Sequence, residues 1–548
     1  MTSTASPGTG LLPARPARPI APGERIHVVG AAGAGASAAV LHAAWAGAAA
    51  DGCDPGGPSP YTVALDAAGI TLAWEHSAAH VTRVPAPDRL AVTKALTAVD
   101  ADHPELVAAR RAGIPIEPWQ QVIADAAVGR TLVGVAGTHG KSTSAGWLVH
   151  VLQAAGGDPS AFVGALLPPE LTGGPPATAR RGAGPAFVVE ADEYAGNFDS
   201  YRPAIALVTS AEWDHPDVFA DRNAVIAAFD RWLRASTPGA ASGRGAASGA
   251  GAASGQGAAG SADPPGARRS PIAVINVADA GAAELAAGLR DWPGTIVATA
   301  LVETDTARLA SFGRGIAEQY ATVGGPATSV LGRIVAQEPD STMIEIHGLD
   351  ALRGALRVRL STAGRHNAAN ALGVAGAALV AGIPAEGIVA GLASFGGVGR
   401  RLERKGEVAG VVVFDDYGHH PTAIRETLGA VRQRAPGRRV WAVYEPLTYH
   451  RTAALLDDFA TVLAEADAVA IADIWAGRDP DTTIASASGL AEAVARRNPA
   501  IPVAAPGSVE ATAAWLAGEV RSGDAVLVMG GGHSYRIGEL LLERLADR

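Results

Sequence analysis

Short runs rich in Val and Ile recur along the chain, each followed by small or polar residues and then by a helical pattern. They are "IHVVG" at 26, "TLVGVAG" at 131, "AFVVE" at 186, "AIALVT" at 204, "PIAVINV" at 271, "GVVVFDD" at 410, "RVWAVYE" at 439, "DAVAIAD" at 467 and "DAVLVMG" at 524. Nearly continuous apolar strands alternating with helices predict an α/β protein whose parallel sheets are covered on both faces. In such folds the chemistry sits at the C-terminal ends of strands. Between Ser236 and Ser270 the pattern dissolves into a Gly/Ala/Ser tract that has too little side chain to bury. It predicts a flexible insertion, and because strand-like "PIAVINV" resumes behind it, one that interrupts a domain. Pattern changes near 24, 122 and 400 divide the rest into a disordered tail over 1–24 and domains over 25–122, 123–399 and 400–548.

Composition narrows the function classes. A chain of 548 residues exceeds what one core usually serves and predicts three domains. The formal net charge of −10 argues against a nucleic-acid or anionic-membrane surface, so any phosphate must be held locally. Cys53 is the only cysteine, which allows no intrachain disulfide and no cysteine cluster for zinc; it reads as a bystander. The N-terminal 24 residues hold Arg and Pro but no apolar core of a signal peptide, and the Ala-rich stretch 36–50 is too short to span a bilayer. A cytoplasmic location follows as the expectation.

Four stretches carry candidate chemistry. "GVAGTHGKSTSAGW" at 134 joins a buried strand to a helix bearing Trp147, Leu148 and Val151 on one side. Its glycines would let backbone N–H groups approach phosphate at a helix N-terminus, with Lys141 on the β/γ-phosphates and the Ser142 hydroxyl toward Mg²⁺. The usual template G-x-x-x-x-G-K-[ST] asks for glycine at 135, and that position is Val135. Glu190 ends the strand "AFVVE" in "EADEY", a natural carboxylate partner for Mg²⁺. Glu212, Asp214 and His215 in "SAEWDHPDVF" follow the next strand, and a His beside two acids at a strand end belongs more often to a site than to a core. The weaker turn "HVVGAAGAGAS" offers Gly30, Gly33 and Gly35 to a pyrophosphate.

Together these residues resemble the Mur ligases, ATP-dependent amide-bond formers of peptidoglycan synthesis. The family loop G-T-x-G-K-[ST] is matched by Gly137, Thr138, His139, Gly140, Lys141 and Ser142, which accounts for Val135 as part of a shifted register. The resemblance extends through "EADE", "WDHPD", "GRHNAANALG" at 364, "FGGVGRRLE" at 395, "DDYGHHPTAIRETLGAVR" at 415 and "MGGGHSYRIGELL" at 529. It implies a Rossmann-like UDP-sugar domain, a central P-loop ATPase domain with a mostly parallel sheet, and a Rossmann-like C-terminal domain. The motifs are most similar to those of the members that join L-alanine to the lactyl carboxylate of UDP-N-acetylmuramate via an acyl phosphate.

The resemblance also implies roles. Lys141, Glu190 and His215 are the catalytic set. Ser142, Glu190 and His215 are the ligands of two Mg²⁺ ions. Gly137 to Thr143, His366, Asn367, Asn370, Arg401 and Asp416 contact ATP, while Gly30, Gly33 and Gly35 face the UDP-sugar. His420 and Arg451 line the amino-acid pocket, where a family histidine is replaced by Leu447. That replacement leaves Gly or Ser as alternative acceptors. A recycling ligase that takes a whole tripeptide, and a P-loop ATPase without ligation, are the other readings. The expected partners are UDP-N-acetylmuramate and L-alanine, without nucleic acid or membrane, in a monomer or homodimer.

Overall fold

The computed structural model describes residues 6–100, 102–237, 270–303, 306–350, 354–477, 479 and 481–548. Each apolar run named above forms a strand, and among the described residues the strands assemble into three sheets. The predicted insertion over 236–270 lies almost wholly outside the described residues. Among the described residues no helix is long and apolar enough to cross a membrane.

The N-terminal sheet has five parallel strands in the spatial order Leu72–Ala73, Ala49–Cys53, Arg25–Val29, Arg89–Val92, Ile116–Pro118. The expected disordered tail differs from what is described: from residue 6 the chain lies along this domain. Its Arg15 guanidinium is 2.7 Å from both Glu117 and Asp125, carboxylates that also hold the buried Arg89. Ionic anchoring of this kind needs no hydrophobic pattern, and so the Arg/Pro composition of the tail did not announce it.

The central sheet has ten strands, with Thr131–Ala136 paired in parallel between Ile205–Val208 and Ala186–Glu190. Side chains alternate across it. Val133 and Val135 join Trp147, Leu148 and Val151 in one core, while Ala136, Phe187, Val189 and Val208 face the opposite one. One edge is the antiparallel set Thr328–Glu338, Ser341–Asp350 and Gly354–Leu360, which the apolar pattern missed because these strands carry exposed charged residues. Among the described residues the C-terminal sheet has six strands around Asp524–Gly530, and only Glu403–Val408 is antiparallel.

The N-terminal and central domains share a core. Helix Ala34–Trp45 packs Ala38, Ala39 and Val40 into the cluster that holds Phe162, Ala177 and Phe187 of the central sheet. His42 Nε2 lies 2.9 Å from the Ala161 carbonyl across that contact. The C-terminal domain is seated by polar bonds: Thr422 Oγ1 donates to Glu212 at 2.6 Å, and Gln433 Nε2 donates to the Glu338 carbonyl at 2.8 Å.

Candidate active site

The strand Thr131–Ala136 ends in the turn Gly137–Gly140 and continues as helix Lys141–Ala154. Gly140 caps the helix at φ 78°, a left-handed conformation that favours glycine, and a Cβ there would fall 2.5 Å from Asn370 Oδ1. The helix therefore begins with open amides beside two strand ends, the arrangement that attracts an anion. Lys141 Nζ stands 2.9 Å from Glu193 Oε2 and 3.5 Å from Asp192 Oδ1. Burial disfavours its ammonium, but attraction to Glu193 and Asp192 outweighs that and raises its pKa. Burial likewise pushes Glu193 up to about 7, against the pull of Lys141. The lysine is thus a fixed cation at the helix head.

Ser142 Oγ donates to Glu190 Oε1 at 3.0 Å, and Glu190 Oε2 accepts the Gly164 amide at 2.6 Å. Asp192, Glu193 and His215 place one ligand atom each within 4.8 Å of the others. Glu193 Oε1 is buried without a hydrogen-bond partner among the described residues. A hydroxyl and three carboxylates form a hard-oxygen donor set of the kind Mg²⁺ takes. Glu193 and Asp192 carry the strongest contacts to Lys141. Sequence reading missed them, although the signal was present: "EADE" holds both, but only the first acid ends a strand.

His215 has φ 55°, and its ring lies 3.7 Å from Asp214 Oδ2 and 3.2 Å from Arg451 Nη2. Burial lowers its pKa, against the attraction of Asp214. The family resemblance places Arg451 in the amino-acid pocket. In the structure its guanidinium is paired with buried Asp214, at 2.8 Å from Nε and 2.7 Å from Nη2. A buried arginine with a carboxylate this near is already neutralised, so its first task is to hold the Asp214–His215 corner. His420 Nε2 is 3.1 Å from the Trp213 carbonyl, and burial lowers its pKa to about 4, leaving a neutral ring.

Two cavities meet at the loop. One of about 430 Å³ is lined by Lys141, Ser142, Glu190, His215, His420, Leu447, Arg451 and Trp475. The other, about 330 Å³, is lined by Thr143, His366, Asn367, Asn370, Arg401 and Asp416, and both share His139 and Gly140. Every residue expected at ATP except Gly137 therefore borders this pair of cavities. Arg401 Nη2 donates to Ser142 Oγ at 3.0 Å, joining the segment before the C-terminal sheet to the loop. Some expected contacts are already taken internally. Asp416 accepts the Leu402 and Gly418 amides at 2.8 and 2.7 Å, and Asn367 Nδ2 donates to the Ala363 carbonyl at 2.8 Å.

A third cavity of about 720 Å³ joins Ala32, Gly33, Asp54 and Tyr61 to Arg400 and Tyr417. Of the three glycines expected to face a UDP-sugar, Gly33 lines it. Gly30, at φ 79°, donates its amide to the Cys53 carbonyl at 2.9 Å, so it shapes the turn without offering a free N–H. Gly35 makes room for Trp119, whose ring would lie 2.2 Å from a Cβ.

A family model described as "Mur ligase family, catalytic domain" matches residues 25–131, and one described as "Mur ligase, glutamate ligase domain" matches 400–532. A UDP-N-acetylmuramate--L-alanine ligase of Kineococcus radiotolerans is 35% identical over 96% of this chain and 97% of its own length. The chain belongs to the Mur ligase family. An equally named protein of Mycolicibacterium smegmatis is 34% identical over 95% of each chain. Among solved structures, the UDP-N-acetylmuramate-alanine ligase of Thermotoga maritima aligns with a TM-score of 0.68 at 20% identity, covering 95% of this chain and 99% of that one. A murein peptide ligase from Psychrobacter arcticus gives 0.64 at 23% identity, over 96% and 99%. Both share this Mur ligase's fold. The chain is accordingly an ATP-dependent ligase.

Proposed function

We propose that this chain joins L-alanine to the lactyl carboxylate of UDP-N-acetylmuramate through an acyl phosphate, a step in building peptidoglycan precursors. The observation that carries this reading is the meeting of Lys141, Glu190, His215 and the C-terminal Arg401 around one cleft, in a chain alike over nearly its whole length to proteins named for that reaction. The domains at 25–122, 123–399 and 400–548 would hold the sugar nucleotide, ATP and the amino acid in turn, in the cytoplasm where these substrates meet.

In this mechanism the γ-phosphoryl group of ATP passes to a carboxylate oxygen and ADP leaves. The amine of L-alanine then attacks the acyl carbon, and inorganic phosphate departs as the amine loses its proton. Such steps need positioning and charge neutralisation more than covalent help. The amides of Gly140 and the first helical turn receive the phosphates, and Lys141 exchanges Glu193 for phosphate oxygens. Ser142 and Glu190 would hold one Mg²⁺, and Asp192, Glu193 and His215 a second. When bound, these ions supply neutralisation of phosphate charge. Asp214 and Arg451 keep His215 in place, and the ring of neutral His420 lies tilted against His139 beside the loop, 4.5 Å between centroids. Leu447 and Trp475 border the space left for a small side chain, with Gly531 against Leu447.

The test is ADP release. It is expected to require both UDP-N-acetylmuramate and an amino acid, and Lys141→Ala is expected to abolish it. Turnover without an acceptor, or full activity in the variant, would overturn the reading.

A further inference from the structure

Away from the ATP cleft, the N-terminal domain gathers four donor side chains from four separate elements. His27 lies on strand Arg25–Val29, Cys53 ends strand Ala49–Cys53, His80 belongs to the turn of helix Ala79–Thr82, and Glu105 opens helix Pro104–Ala112. One ligand atom of each lies within 4.8 Å of all the others. Cys53 Sγ is 3.1 and 3.3 Å from the two Glu105 oxygens, and His80 Nδ1 is 2.8 Å from Glu105 Oε1. The His27 side chain is only 2% exposed, and its Nε2, 3.4 Å from Glu105 Oε2, has no hydrogen-bond partner among the described residues. Its other nitrogen is 2.7 Å from Asp51 Oδ1, and Asp51 is itself held by Arg83 at 2.6 Å.

We propose that His27 Nε2, Cys53 Sγ, His80 Nδ1 and a Glu105 oxygen form a site for a zinc-class divalent cation. Two imidazoles, a thiolate and a carboxylate make the borderline-soft, four-donor set that zinc takes, whereas Mg²⁺ prefers oxygen alone. Charge balances as well, since the thiolate and Glu105 together neutralise a dication. The Asp51–His27 contact is the carboxylate–histidine pairing that fixes the tautomer and aims the free nitrogen at a metal. The buried His27 Nε2, met only by the loose 3.4 Å approach of Glu105 Oε2, gains a full partner when the cation binds. His80 is 17% exposed, which leaves a way in.

Loading the site displaces the thiol proton of Cys53 to solvent, so affinity rises with pH. It also reaches the ligand cavity. The Cys53 carbonyl accepts the amides of Gly30 and Ala31 at 2.9 and 3.0 Å, so a cation at Sγ braces the glycine turn behind the 720 Å³ cavity. This inference stands apart from the ligase reading, because it uses no residue of the ATP cleft.

The test adds Co²⁺ to the metal-stripped full chain in excess Mg²⁺ and reads the near-ultraviolet thiolate-to-cobalt charge-transfer band. Cys53 is the only thiol in the chain, so no other residue can produce that band. The band should saturate at one equivalent and vanish in Cys53→Ser. In Asp51→Asn and His80→Ala, proteins whose folding is checked by circular dichroism, it should require about 10–100-fold more Co²⁺. Absence of the band from the native protein overturns the proposal, and so does an unchanged titration in both folded variants.

Discussion

Lys141 shows how a single side chain joins sequence to local geometry. It is legible in sequence because a lysine after a glycine turn at a helix start serves phosphate in many proteins. Its partner Glu193 is not, since nothing in "EADEY" says which acid turns inward. Gly140 tests the loop at the same scale. Alanine there must adopt φ 78° and meet Asn370, whereas Gly156, just past the end of the same helix, has φ 85° with nothing within 4 Å. Both substitutions carry backbone strain of about 1–3 kcal/mol. Gly140→Ala should lower kcat/KM for ATP at least about tenfold, the rate equivalent of about 1.4 kcal/mol. Gly156→Ala should lower the thermal midpoint alone. Steady-state kinetics and melting of both variants check this.

At the scale of elements, strands buried on both faces were readable because their period is simple. Strand Ala49–Cys53, reading "AADGC", was not, because its residues are small or polar and its pairing with Arg25–Val29 defines it. Tertiary contact also explains the helix Ala34–Trp45, whose apolar residues look like a generic core and in fact weld two domains together. Within it, burial lowers His42 from 6.5 to about 4, so the folded state resists a proton that the unfolded chain accepts. Stability is therefore complete above pH 6.5 and falls as pH drops toward 4. One such group contributes up to about 3 kcal/mol across that window. His420 shifts in the same direction. His42→Gln should flatten part of this slope, so the loss in thermal midpoint between pH 7 and pH 5 should be smaller in the variant than in the native chain.

Across the whole molecule, three sheets present their strand ends to shared cavities, and each substrate would touch groups from more than one of them. The residues expected to serve ATP were visible in sequence as an ordered set of motifs. The acceptor half was less so. Arg451 carries the right charge, but its pairing with Asp214 depends on a contact across 237 positions. The four donors around Cys53 are similarly scattered between positions 27 and 105, with no short spacing to mark them. Leu447 and Trp475 line the cavity of about 430 Å³ proposed to take the acceptor, and the central claim concerns what fills it. The most direct measurement supplies the full chain with ATP, Mg²⁺, UDP-N-acetylmuramate and a panel of L-alanine, glycine, L-serine and the tripeptide L-alanyl-γ-D-glutamyl-meso-diaminopimelate, with products weighed by mass spectrometry. The account predicts the L-alanyl amide as the main product; a preference for the tripeptide, or no amide with any acceptor, would contradict it.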